Sequence, residues 1–203
     1  MPGRFPSFVA ELPLTRRALS FAEERHAGQE REVDRAPFIL HPLEVAQLLR
    51  SRGYEDEVVA AGVLHDVLEN GQVEQRDLAE RFGDRVARLV CQVSEPSGEG
   101  TWTERKHRLR QAVAAADADA VAIYAADKVA KSRELRMRLV ATHTVSARDQ
   151  ERLEHYWSSL DLLELRLGDH PFVAQLRFEL EALTLLPPSG LPALAASGSG
   201  PRG

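Results

Sequence analysis

Cysteine occurs once in the 203 residues, as Cys91, so no internal disulfide can form and a four-cysteine or CxxC metal site is excluded. Within VARLVCQV it reads as a small buried apolar side chain rather than a reactive thiol. Lysine is almost as scarce: Lys106, Lys128 and Lys131 are the only ones, and arginine carries nearly all the basic charge. Nor is there an overall basic excess. The net charge is −5, which removes any global electrostatic reason to expect DNA, RNA or an acidic membrane as partner. A phosphate ligand must then be met by a local cluster of cations. No uninterrupted apolar run reaches the roughly eighteen residues of a membrane span. The N-terminal MPGRFPSFVAELPLTRRAL has neither the apolar stretch nor the small-residue cleavage site of a signal peptide. The expectation is a soluble, cytoplasmic protein whose oligomeric state the sequence leaves open.

Apolar residues make up 43% of the chain, enough for a sizeable core, and they recur at helical spacing while period-two alternation is nearly absent. The pattern predicts a first helix over Leu14–Ala27, ended by Gly28, and a polar loop, GQEREVDRAPF. A second helix opens at His41-Pro42, where proline in the first turn costs no hydrogen bond, and stops at Gly53. The third, over Asp56–Glu69 with Gly71 as stop signal, is the most apolar of the early ones. Helices over Gln75–Phe82 and Asp84–Val93 follow, then TWTERKHRLRQAV with Thr101 and Glu104 spaced as a capping box. A long apolar helix over Asp119–Leu139 and two more, over Ala147–Leu167 and Phe172–Leu185, complete the set. The expected fold is all-α, a bundle of about nine or ten helices in one domain over residues 1–186. The proline-, glycine- and serine-rich stretch 187–203 is expected to be a disordered tail.

Four ionisable residues stand out against apolar surroundings. His65 and Asp66 are adjacent in VVAAGVLHDVLEN, His41 follows the apolar FIL, and Asp127 lies inside AVAIYAADKVA. Burying such groups is costly unless something compensates them, and a divalent cation does so by taking imidazole nitrogens and carboxylate oxygens directly. Two histidines with two carboxylates suit Mn²⁺, Fe²⁺ or Zn²⁺ better than Ca²⁺. Plainer explanations stand beside this one: His65 as a hydrogen-bonded core histidine, Asp127 paired with Lys128 or Lys131, and His41 as a helix-start residue.

The blocks FAEERHAG, PFILHPLEVAQLL, VAAGVLHDVLEN, LAERFGDRVARLV, WTERKHRLRQA and AIYAADKVAKSREL occur in an order and spacing that resembles the HD superfamily of metal-dependent phosphohydrolases. Within it the likeness is to the hydrolase domain of RelA/SpoT-type proteins and to the small alarmone hydrolases, over about residues 14–180. The resemblance implies that His41, His65, Asp66 and Asp127 ligate a metal, usually manganese. It also implies that the activity removes pyrophosphate from the 3′ position of guanosine tetra- or pentaphosphate, a small-molecule nucleotide. Glu69 matches the first member of the acidic pair that handles the attacking water. The second member is Asn70 here, which can position a water but cannot take its proton. Lys131 replaces an asparagine near the nucleotide's sugar and phosphate, and the basic pair of the base-contacting loop becomes Arg31-Glu32. Arg31, Arg35, Lys106 and Lys128 are candidates for a basic rim around the phosphates. Two alternatives remain open: a divergent phosphohydrolase acting on another phosphorylated nucleotide, and a weakly catalytic nucleotide-binding module.

Overall fold

The computed structural model describes residues 5–69, 73–96 and 98–185. Asn70, Gly71 and the stretch 187–203 lie outside the described residues. A 3-10 turn, Ser7–Glu11, leads into α1 (Pro13–Arg25), α2 (Leu40–Ser51), α3 (Asp56–Leu64), α4 (Gln75–Phe82), α5 (Asp84–Val93), α6 (Trp102–Ala114), α7 (Ala118–Thr142), α8 (Ala147–Leu167) and α9 (Pro171–Leu185). Among the described residues there is no strand, only an isolated bridge between Glu30 and Pro37 in the α1–α2 loop. No described helix is long and apolar enough to cross a membrane. The all-α bundle is the one the apolar periodicity predicts, and α4, α5 and α8 have the expected bounds.

Helix ends follow from side chains that meet free backbone groups. Thr101 Oγ1 accepts from the Glu104 N–H at 3.2 Å while Glu104 Oε2 accepts from the Thr101 N–H at 2.7 Å, closing α6 as its spacing predicts. At α1 the cap comes from far along the chain. Asp56 at the start of α3 accepts from the N–H groups of Leu14 at 2.9 Å and Thr15 at 2.8 Å, and from the Thr15 hydroxyl at 2.7 Å. Pro13 occupies the first position of α1, where a missing N–H is harmless.

α3 is the centre of the bundle, packed against α1, α2, α5 and α7, and every residue from Val58 to Leu64 is buried. α7 is its counterpart, buried without interruption from Ala120 to Ala130. Each fully buried Val, Leu or Ile contributes roughly 1.5–3 kcal/mol relative to exposure, so these two helices anchor the fold. A polar tie supplements them: Glu179 on α9 is buried and accepts from Arg133 Nε at 3.0 Å and Arg136 Nε at 2.9 Å on α7. Arg133 also reaches Glu44 on α2, at 3.1 Å.

Two expectations need correction. The third helix does not run to Glu69. It ends at Leu64, and His65–Glu69 form tight turns with bonds from Val67 N–H to the Leu64 carbonyl (3.0 Å) and Glu69 N–H to the Asp66 carbonyl (3.2 Å). Apolar character continues through Val67 and Leu68, so periodicity carries no sign of the change. A side chain is part of that end: a ring N–H of His65 donates from Nδ1 to the Gly62 carbonyl at 2.8 Å, filling one of the acceptors every helix leaves free in its last turn. Cys91 is half-buried rather than enclosed, and burial pushes its thiol pKa up, away from reactivity.

Gly62 sits where α3 faces α2. A Cβ there would overlap Leu49 Cδ1 and lie 3.4 Å from Val45 Cγ1, both on α2. The bare glycine therefore sets how closely the two helices approach. Gly62→Val is expected to lower stability by about 1–3 kcal/mol through overpacking, read as a fall in the urea midpoint. An unchanged midpoint would show that the α2–α3 separation is set elsewhere.

Candidate metal centre

Three helices deliver the four residues to one point. His41 comes from the first turn of α2, His65 and Asp66 from the turn that ends α3, and Asp127 from the middle of α7. All four are buried. His41 Nε2 lies 3.3 Å from His65 Nε2 and 3.1 Å from Asp127 Oδ1, and His65 Nε2 lies 3.3 Å from Asp127 Oδ1. Asp66 Oδ2 completes the group at 3.0 Å from His65 Nε2 and 3.6 Å from His41 Nε2.

These atoms suit a shared cation. Ligands about 2.1 Å from an ion at right angles to one another lie about 3 Å apart, the separation seen here. With each Nδ1–H donating outward, the Nε2 lone pairs of two neutral imidazoles 3.3 Å apart face each other and two carboxylate oxygens, a crowding of acceptors that a cation relieves. Asp66 Oδ2 is left buried without an aligned donor. The remaining ring nitrogens point outward to fixed acceptors: His65 Nδ1 to the Gly62 carbonyl, and His41 Nδ1 to Glu134 Oε1 at 3.2 Å. Outward Nδ1–H bonds of this kind select the tautomer whose Nε2 lone pair faces inward. His41, His65 and Asp127 thus form a group that can hold a metal ion, and Asp66 stands beside it.

The electrostatics show how strongly these groups depend on one another. Burial opposes ionisation of Asp127, but Lys128, Lys131 and the two histidines outweigh it and hold its carboxyl well below the usual range. Asp66 is held down against burial by His65, Lys131 and His41. Burial also disfavours charge on His65, yet in the protein alone Asp66 and Asp127 raise its pKa to about 10, a pull toward positive charge that a bound divalent cation would answer in place of the Nε2 proton. For His41 burial is likewise outweighed, by Asp127 and Glu134, and its pKa rises.

Lys128 is buried, with Nζ 2.7 Å from Asp127 Oδ2 and 4.4 Å from the centroid of the Tyr124 ring. Lys131, 30% exposed at its side chain, reaches inward to Asp127 Oδ1 (3.1 Å) and Asp66 Oδ1 (3.7 Å). A cavity of about 580 Å³ opens beside the cluster, between the α1–α2 loop, α6, α7 and α8. Its lining includes the basic Arg31, Lys106, Lys128, Lys131, Arg138 and Arg152 against the acidic Glu30, Glu32 and Glu134. The local cationic cluster demanded by the acidic chain is therefore present.

The other expected residues fare unevenly. Arg31 lines the cavity but is tied to Asp34 through both Nε and Nη2, and it lies 3.7 Å from Glu134. Lys106 lines it too, paired with Glu95 at 2.5 Å. Arg35 does not; its side chain is 82% exposed and pairs with Glu30 at 2.8 Å. Glu69 is exposed in the turn after the cluster, where desolvation by the surrounding protein and the Asp66 charge push its carboxyl pKa up. Asn70 lies outside the described residues. Glu134, Arg138, Arg152, His155, Trp102 and Tyr156 were not singled out from the sequence. A signal existed for two of them: Asp127, Lys131, Glu134 and Arg138 are spaced along one face of α7.

The family model for the HD domain matches residues 18–156. The chain belongs to the HD domain family. Among curated proteins, the guanosine-3′,5′-bis(diphosphate) 3′-pyrophosphohydrolase of Aquifex aeolicus is 40% identical to this HD domain over 88 residues, 43% of this chain and 12% of that protein. The probable GTP pyrophosphokinase of Mycobacterium leprae is 31% identical over 179 residues, 86% of this chain and 21% of its own length. The HD-domain chain thus spans a small part of these curated relatives. Among solved structures, one described as a metazoan ortholog of SpoT that hydrolyses ppGpp superposes with a TM-score of 0.74 at 23% identity, over 91% of this chain and all 100% of that one. That likeness shows the fold. A crystal structure of a Listeria monocytogenes EGD-e protein gives a TM-score of 0.64 at 27% identity, over 72% of this chain and 97% of that one.

Titrating Mn²⁺, Fe²⁺ or Zn²⁺ into chelator-stripped protein is expected to raise the thermal midpoint, by the equivalent of about 2.7 kcal/mol once free ion reaches about 100 times Kd. His65→Ala should abolish the shift. A wild-type midpoint indifferent to every divalent ion tested would rule the cluster out as a metal centre.

Proposed function

We propose that this chain is a metal-dependent phosphohydrolase that removes pyrophosphate from the 3′ position of guanosine tetra- or pentaphosphate. The observation that carries the reading is the buried group of His41, His65, Asp66 and Asp127, joined through Lys128 and Lys131 to a net basic cavity large enough for a nucleotide. The names of the relatives, including the Aquifex aeolicus enzyme, support the choice of substrate.

His41, His65, Asp66 and Asp127 would hold a divalent ion, which would supply Lewis acidity toward a phosphoryl oxygen and lower the pKa of water. Mn²⁺ is the ion the resemblance favours, with Fe²⁺ and Zn²⁺ compatible with the same donors. The chain's own residues do the rest. Glu134 and the Gly62 carbonyl hold the two imidazoles in the inward-facing tautomer. Lys131 and Lys128, anchored to Asp127, bring positive charge to the phosphate approaching the cluster. Arg31, fixed by Asp34, lines the cavity and offers a guanidinium face to the base. Glu69, its pKa raised, accepts a proton from the attacking water, and Asn70 positions that water through its amide. Water adds to the phosphorus joined to the ribose 3′ oxygen and that P–O bond breaks; the 3′ oxygen departs and takes up a proton to become a hydroxyl, and the pyrophosphate released carries the oxygen of the water.

Lys131 favours a second reading, because an ammonium beside both carboxylates alters the charge offered to the substrate where the resemblance implies a neutral amide. In it the chemistry is kept and the substrate is another phosphorylated nucleotide.

Purified protein with Mn²⁺ is expected to release pyrophosphate from ppGpp, to lose that activity on chelation, and to lose both retained metal and turnover in Asp66→Ala. Full activity in Asp66→Ala would sink the ligand assignment, and turnover of ppApp or NADPH with silence on ppGpp would select the second reading. Asn70→Asp restores a proton acceptor and is expected to raise the ppGpp rate, by up to the roughly 10²-fold that a general base can supply. No gain would mean that Asn70 does not limit the reaction.

A further inference from the structure

His155 lies on α8, lines the cavity, is 4% exposed, and has no part in the chemistry above. Its Nδ1 is 2.5 Å from Arg110 Nη1 on α6. A guanidinium has five donors and no acceptor, and it keeps its charge, so Nδ1 must be the unprotonated nitrogen. The ring's proton is then on Nε2, and that buried N–H has no protein partner. Burial, Lys128, Arg110 and Lys106 all disfavour a second proton, which holds the imidazole neutral. Buried donors left unmade are rare enough in folded proteins that each calls for an explanation.

We propose that His155 is a specificity-determining residue whose Nε2–H, presented by Arg110, recognises a phosphate oxygen on the arm of the nucleotide that is not hydrolysed. This rests on the phosphohydrolase reading: the scissile phosphate is taken up at the His41–Asp127 cluster, so the wall formed by α6 and α8 meets another part of the substrate. Two observations select phosphate there, and a third fixes the ring that would bind it. The free nitrogen is a donor and rejects cations. Lys106 and Lys128 line the same cavity and share with Arg110 the electrostatic environment of the ring, so negative charge is favoured. Trp102, whose ring meets His155 edge-on with centroids 5.6 Å apart, fixes the imidazole plane from α6.

The test is equilibrium binding of guanosine 5′-diphosphate, which carries the second arm and no 3′ group, with guanosine as control. His155→Phe keeps a ring and deletes the donor, and is expected to weaken GDP binding about ten- to a hundredfold, the range for a hydrogen bond to a charged group. His155→Gln restores an N–H and should recover most of the affinity, and guanosine binding should not change in either variant. His155→Met is a second donor-free replacement should the phenylalanine destabilise the fold. Long-range ¹H–¹⁵N spectra of the wild type should show the Nε2–H tautomer, and Arg110→Met should release it. Wild-type affinity for GDP in both donor-free variants, equal losses for GDP and guanosine, or a protonated Nδ1 would each overturn the proposal. So would a wild-type protein that hydrolyses ppGpp and ignores GDP, and that result would leave the alarmone reading intact. Donor-dependent GDP binding without ppGpp turnover would uphold the subsite and remove the alarmone reading instead.

Discussion

Asp127 is a carboxylate sealed inside an apolar helix, and much of the molecule is arranged around the need to neutralise it. One of its oxygens meets Lys128 at 2.7 Å, and the other meets His41 and Lys131 at 3.1 Å each. Removing charge from water costs far more than a typical hydrogen bond returns, so none of these partners can be spared without leaving the others in deficit. That requirement holds α2, the end of α3 and α7 in one relative position. The glycine contact between α2 and α3 and the Arg133–Glu179 tie between α7 and α9 keep the same geometry from behind.

The fold was largely legible because helical periodicity survives wherever one face is buried, and because Thr101 with Glu104 marks a helix start locally. The four central residues were legible for a related reason: charge inside an apolar run is visible without knowing what compensates it. Less could be read where the deciding contact joins distant segments. The end of α3 involves a ring bond from His65 to Gly62 within a run that stays apolar, so composition gave no boundary. The basic rim was misjudged at Arg35, because exposure cannot be told from sequence in a loop, and Arg35 pairs outward with Glu30. His155 was invisible because its character comes from Arg110, 45 residues away.

The cavity places two kinds of cation in different surroundings. Lys128 and Lys131 are bound into the carboxylate group, whereas elsewhere on the lining Lys106 pairs with Glu95, Arg138 with Asp149, and Arg152 with Glu32. A ligand with charge at both ends matches that separation better than a compact anion such as inorganic phosphate, which could engage only one side. Trp102, Phe38 and Tyr156 supply apolar surface among these charges, as a nucleoside requires.

The Asp56 carboxylate that closes the start of α1 bears on the order in which the chain can assemble. The N–H groups of Leu14 and Thr15 find their acceptor 41 or more residues downstream, so the first turn of α1 gains its cap only once the beginning of α3 has been made and brought alongside. A helix of 13 residues is marginal by itself in water. During synthesis at about 5–20 residues per second, α1 therefore waits about 2–8 seconds for the residue that caps it. The first helix in the sequence is in this sense finished by the third, which supplies the side chain that caps it.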